Sequence, residues 1–307
     1  MSTTINRAAP SSSTHGIHLP NPEERAAKKR KARFYDRPGW LTYGLLSAFF
    51  LGAVFPLWWS FVMGSRVATD INSVPPVVIP GPNFISNVIK AFQTVDFTKA
   101  LINTVIISGT IAISVVFFST LAGYAFAKLK FRGRNGLMLA VIATMAIPTQ
   151  LGIIPLFMLV SELKLTNTLG AVIIPGLVSA FGVFFMRQYL IDVIPDELIE
   201  AARVDGASAW GTFWNVAVPS ARPAMAVLGL FIFMAAWTDF LWPLLVLGPK
   251  NPSVQTALAA LNASGGHTPD YSMVLAGTIV SIIPLLILFL FAGKQLIAGI
   301  MSGAVKG

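Results

Sequence analysis

Six long apolar runs, each nearly free of charge, alternate with polar or proline-broken stretches along the chain. They cover approximately residues 41–63, 101–127, 137–160, 169–189, 223–247 and 272–292. A helix needs roughly 20 apolar residues to cross about 30 Å of hydrocarbon, and each run is long enough. Barrel strands would show short alternating segments instead, and none is present. The pattern predicts an all-α integral membrane protein with six transmembrane helices. Three intervening stretches are too polar or too broken to span. Residues 64–100 carry Pro75, Pro76, Pro80 and Pro82 and read as irregular apart from a short helix near 85–92. Residues 248–271 are rich in Pro, Asn and Gly, and residues 187–222 form an unusually long polar loop.

Composition agrees with this pattern. Of 307 residues, 55% are hydrophobic and only 11% charged, against about 25% charged in an ordinary soluble domain. Mean hydropathy is +0.71. The formal net charge of +9 would suggest nucleic acid in a soluble protein. Here the basic residues sit at the ends of apolar runs, so topology accounts for them and no nucleic-acid partner is expected. With the N-terminus inside, and the distal Arg7 set aside, sixteen Lys and Arg fall on the inner side, seven of them between Arg25 and Arg37. Five fall outside: Arg66, Lys90, Lys99, Lys164 and Lys250. That excess predicts a multi-pass protein of the cell membrane with both termini cytoplasmic. Residues 1–37 read as a disordered basic tail and 38–307 as the membrane domain, with no cleaved signal, since the first apolar run is too long for one.

The loop at 192–220 holds the informative chemistry. Pro195, Asp196 and Glu197 read as a helix start, with proline in the first turn and acids at the positive end of the dipole. Leu198, Ala201, Ala202 and Asp205 then fall on neighbouring helical faces, and Gly206 is a natural stop. Ser208 can cap a second short helix through Asn215, after which 216–219 leads back to the membrane. Small Ala201 and Ala202 permit close approach by another surface, and Glu200 and Asp205 offer charge. Two readings fit these features: a docking element, or an interfacial hairpin that ties two spans together.

The same residues carry a resemblance. Glu200-Ala201-Ala202, Gly206 four residues later and Val216-Ala217-Val218-Pro219 resemble the EAA motif of ABC-importer permeases, with Val in place of Ile and Leu near the end. From Trp40 onward the chain is similar to the carbohydrate permeases of the maltose-type inner-membrane subfamily. The similarity runs through Gly123-Tyr124-Ala125-Phe126-Ala127-Lys128, Trp237-Thr238-Asp239-Phe240-Leu241-Trp242-Pro243 and the ending Gly303 to Gly307. The resemblance implies a type I importer bundle that works by alternating access. It also implies ATPase coupling through Glu200, Ala201, Ala202, Asp205, Gly206 and Pro219, with a further ATPase contact at Ala304, Val305 and Lys306. The implied partners are a second permease subunit forming a heterodimer, two ATP-binding-cassette subunits that carry ATP and Mg, an extracytoplasmic solute-binding protein and membrane lipid.

Other chemistry is sparse. No Walker A sequence occurs, so no nucleotide site and no cofactor is expected in this chain. There is no cysteine, and His15, His18 and His267 are isolated, so neither a metal site nor an enzyme is expected. Asp239 is the one acid clearly within a predicted span, flanked by Trp237 and Trp242. A carboxylate beside aromatic faces suits a sugar path, while tryptophans beside an acid also suit a headgroup belt at the outer interface. Pro148, Pro155, Pro175 and Pro284 lie in or beside spans, where neighbouring helices can absorb a bend. The alternative to an importer subunit is a stand-alone secondary transporter or channel. That class would show paired halves with broken helices or several intramembrane ionisable residues.

Overall fold

The structure is a computed structural model that describes residues 39–266 and 268–304; side chains are described through 291 and at Gly293. The predicted 1–37 tail, Val305 and Lys306 lie outside the described residues. Ala304 ends the last helix, but its side chain is not described. Two compact units divide the chain, residues 1–56 and residues 57–307.

The described residues are helical and form no strand. Helix α1 (Trp40–Gly64) is followed by the proline-rich outer segment and by α2 (Phe84–Thr94), the short helix that the sequence predicts there. Helix α3 (Phe97–Lys128) is 32 residues long, about 48 Å at 1.5 Å per residue. It is the axis of the second unit and packs most extensively against α7 (Ala180–Val193) and α9 (Ala209–Thr238). Its approach to α7 is close because Gly123 lacks a side chain. A Cβ there would stand 2.8 Å from the backbone nitrogen of Arg187.

Three of the predicted spans are interrupted, which the apolar pattern does not reveal. The third is α4 (Arg134–Met145) and α5 (Ile153–Glu162), joined by a 3-10 turn at Thr149–Gly152 and bent by 88°. Pro148 lies at this joint; it disfavours helix in the residue before it and has no N–H to donate. The fourth is α6 (Gly170–Gly176) and α7, with a break at 177–179 after Pro175. The carbonyl freed at Leu177 accepts a hydrogen bond from Ser114 Oγ at 2.9 Å. The fifth run is displaced. Helix α9 begins at Ala209 and stops at Thr238, and α10 (Leu241–Val246) follows as a separate piece. The long final helix α12 (Tyr271–Ala304) covers the sixth run.

The polar loop at 248–271 contains a helix that the apolar pattern does not predict, α11 (Val254–Ser264). Ser253 and Thr256 form a reciprocal capping box at its start. Buried Val254, Ala257 and Leu261, at helical spacing, pack on Phe97, Ala100 and Met273. Thr104 Oγ1 accepts the Val254 N–H at 2.8 Å, which ties this helix to α3.

Candidate functional site

Two regions bring the candidate residues together, one at the Lys128 end of α3 and one near its middle.

At the Lys128 end, helix α8 (Asp196–Val204) starts after Pro195, as predicted, with Asp196 and Glu197 in its first turn. It ends in a complete Schellman motif. The N–H of Gly206 donates to the Arg203 carbonyl at 3.0 Å, and that of Ala207 donates to Ala202 at 2.9 Å. Gly206 takes φ +79°, a left-handed conformation that a side chain disfavours. Ser208 then caps the next helix by accepting the Gly211 N–H at 3.1 Å.

From there the structure departs from the sequence reading. Residues 216–219 are not a linker; the chain runs on as helix α9, through a π turn at Phe213–Ala217. The Val218 N–H bonds back five residues, to Phe213. Pro219 explains the wider turn. It cannot donate to the carbonyl four residues back, and its ring would collide with that carbonyl in a tight α-turn. Predicted as the end of a loop, Pro219 is instead exposed in the first turn of the membrane helix proper.

The wedge made by α8 and the start of α9 is firmly rooted. Ile199 is buried in a cluster with Tyr124, Met186, Leu190, Ile194, Phe213 and Ala217. Trp210 stacks on Phe213 at 5.5 Å, and Phe213 meets Tyr124 of α3 at 5.7 Å. Lys128, the last residue of α3, donates to Asp196 Oδ1 at 2.8 Å. That lysine holds the Asp196 carboxyl below the usual carboxylate range, by hydrogen bond first and by charge second. The opposite face of the wedge is open. Glu200, Ala201, Asp205 and Gly206 are exposed, Ala202 is half-buried, and Val204 is 88% exposed. Leu198 of the same helix is also exposed, while Trp210 and Trp214 pack against each other and Trp214 stacks on Phe117 of α3. The unit thus joins a fixed root to an exposed acidic face.

The second region is a cavity of about 680 Å³. Its wall includes Ile111 and Val115, which stand halfway along α3 and so near the middle of the longest span. All three joints open onto it. Thr149 and Gln150 come from the α4–α5 joint, Ser179 from the α6–α7 joint, and Thr238 and Asp239 from the α9–α10 joint. Irregular backbone at membrane depth is tolerated where it is buried in protein or lines a polar cavity, and here every break does so.

Asp239 and Trp242 both line this space. Backbone N–H groups of Trp242 and Phe240 approach the carboxylate of Asp239. The Trp242 ring is pinned by a bond from its Nε1 to the Ala171 carbonyl at 3.1 Å. Trp237 is not part of the wall. It is buried, stacks on Phe233 and donates to the Ser281 carbonyl at 3.2 Å, a packing role. Gln150 and Ser179 are cavity residues that the sequence reading did not single out. Pro148 and Pro175, each close to a joint, were the available signal.

Residues 116–295 match the family described as "Binding-protein-dependent transport system inner membrane component". The chain belongs to this family. It is 35% identical over 271 residues to an arabinooligosaccharides transport system permease protein, AraQ, of Halalkalibacterium halodurans, covering 87% of this chain and 96% of that one. It is 31% identical to the lactose transport system permease protein LacG of Rhizobium radiobacter, over 88% of this chain and 97% of the relative. Its fold is that of a solved bacterial ABC transporter involved in the import of the acidic polysaccharide alginate. The TM-score is 0.69 at 23% identity, covering 90% of this chain and 98% of that one. The matched segment contains both the wedge and the cavity joints, and membership places the chain among inner-membrane transport components with five or six spans.

Proposed function

We propose that the chain is the permease subunit of an ATP-driven carbohydrate importer, forming half of the translocation path and taking its motion from separate ATPase subunits. The observation that carries this reading is the wedge: a short helix that starts after Pro195, is closed at Gly206 and is rooted through Ile199, with Glu200, Ala201 and Asp205 turned outward. Such an element moves as one piece with its socket and passes a rigid-body displacement into α3 and α9. The substrate class, a sugar or oligosaccharide, follows the named relatives. In this reading the heterodimer partner supplies the other half of the path, a solute-binding protein delivers cargo from outside, and both termini face the cytoplasm.

The cavity is the section of the path that this subunit contributes. Asp239 and Gln150 offer hydrogen-bond acceptors to sugar hydroxyls, and the fixed Trp242 ring offers an apolar face. Broken helices around a central site also occur in stand-alone transporters, so the joints by themselves do not separate the two classes. Reconstitution does. The four-subunit assembly in vesicles, with its binding protein, is expected to accumulate sugar only with ATP inside the ATPase compartment. Uptake by the chain alone overturns the reading.

A further inference from the structure

The charge pattern of the cavity wall carries a statement about which solutes the path accepts. Among the described residues, Asp239 is the sole ionisable side chain in that wall, and the other polar groups there, Thr149, Gln150, Ser179 and Thr238, are neutral. Among the described residues, no Lys or Arg forms an ion pair with Asp239. What approaches its carboxylate is backbone N–H, which solvates a charge without cancelling it. The remaining wall is largely apolar, with Ile111, Val115, Ile153 and Val172 among its members. Low-dielectric walls focus the field of an uncompensated charge into the space between them.

We propose that Asp239 makes the cavity a charge filter that admits uncharged polyhydroxylated solutes and turns away anionic ones. This rests on the reading that solute passes through the cavity. Hydroxyl groups donate to a carboxylate and gain a charge-assisted bond. A phosphorylated or uronic-acid solute brings a second negative charge into the same space. Two like charges about 8 Å apart at an effective dielectric of about 20 repel enough to change occupancy by at least about tenfold. Asp239 therefore acts on specificity, and its position at the α9–α10 joint holds the charge in the wall.

The test uses the absence of cysteine in this chain. Gln150→Cys places one thiol in the wall, and its modification is followed on this chain within the assembled importer in membranes. Three thiosulfonate reagents of similar size are compared, one anionic, one uncharged and one cationic, each normalised to its rate with a small free thiol. Ratios at a single thiol cancel the thiolate fraction, which scales all three rates alike. In the Gln150→Cys parent, the uncharged reagent is expected to outpace the anionic one by about tenfold. Adding Asp239→Asn removes that bias, while Asp239→Glu keeps it. Asn retains an oxygen for the Phe240 and Trp242 N–H groups, so a lost bias reports charge rather than folding. Equal normalised rates in the parent, or a bias that survives Asp239→Asn, overturn the filter and leave the path standing. A thiol that the uncharged reagent never reaches overturns the path, and the filter with it.

Discussion

The wedge and the cavity solve opposite problems with the same helical material. At the wedge, backbone ends are closed locally. Gly206 and Ala207 close the end of α8, Ser208 caps the start of α9, and Ile199 anchors the unit. At the cavity, three helices are left open, and their freed groups turn toward a shared space or are caught by a neighbour, as Ser114 catches Leu177. The difference teaches where this protein keeps its stiffness. Rigidity sits at the surface proposed to meet a partner, and interrupted backbone lines the proposed path.

The sharpest way to break this comparison is to unlock the wedge. Gly206→Pro cannot take a positive φ and removes the N–H that closes the Schellman motif. We expect at least about a tenfold loss of both uptake and substrate-stimulated ATPase activity, which corresponds to about 1.4 kcal/mol or more. Wild-type levels of both would sink the coupling role. Next in size is the root. Ile199→Ala should destabilise the wedge by about 2–4 kcal/mol, read as faster amide exchange over residues 196–206 while exchange across α3 stays slow. Equal protection in the two proteins would show that the root lies elsewhere.

The cavity is tested more gently. Trp242→Ala removes an apolar face and the bond to Ala171. It should raise the sugar concentration for half-maximal uptake several-fold and leave basal ATPase activity within about twofold, a change of about 1 kcal/mol. An unchanged concentration dependence would remove Trp242 from the path. The smallest effect belongs to Asp196. Its carboxyl is held low by Lys128, so the contribution is complete at neutral pH and fades as pH falls through the lowered value, below about 3.9. Asp196→Asn should therefore melt slightly earlier than wild type at pH 7, with a gap that narrows as the pH is lowered below about 3.9. A difference that grows in acid would reverse the assignment.

Much of this was legible before any coordinates. The membrane class, the helix from Asp196, the stop at Gly206 and the cap at Ser208 all follow from residue types with a local physical meaning. The joints were not legible, because apolar residues run straight through them: Ala146-Ile147, Leu177-Val178 and Phe240-Leu241 read as uninterrupted span. Hydropathy reports the solvent of a segment and is silent about its direction. Helix α11 was missed for the converse reason. Pro249, Asn251 and Pro252 at the start of its loop outweighed the spacing of Val254, Ala257 and Leu261. Trp237 and Trp242 look alike in sequence, and only tertiary packing sends one inward and leaves the other on the wall.

The missing side chain at Gly123 has a mechanical consequence. Helices α3 and α7 touch there almost backbone to backbone, which leaves little room for one to slide along the other but allows them to tilt. Along α7 the crossing near Met186 stands seven residues from Ser179 at one end and seven from Val193 at the other, arms of about 10 Å each. A push delivered at the wedge end of α7 would thus reach the cavity wall reversed in sense and with similar travel, as a seesaw delivers it.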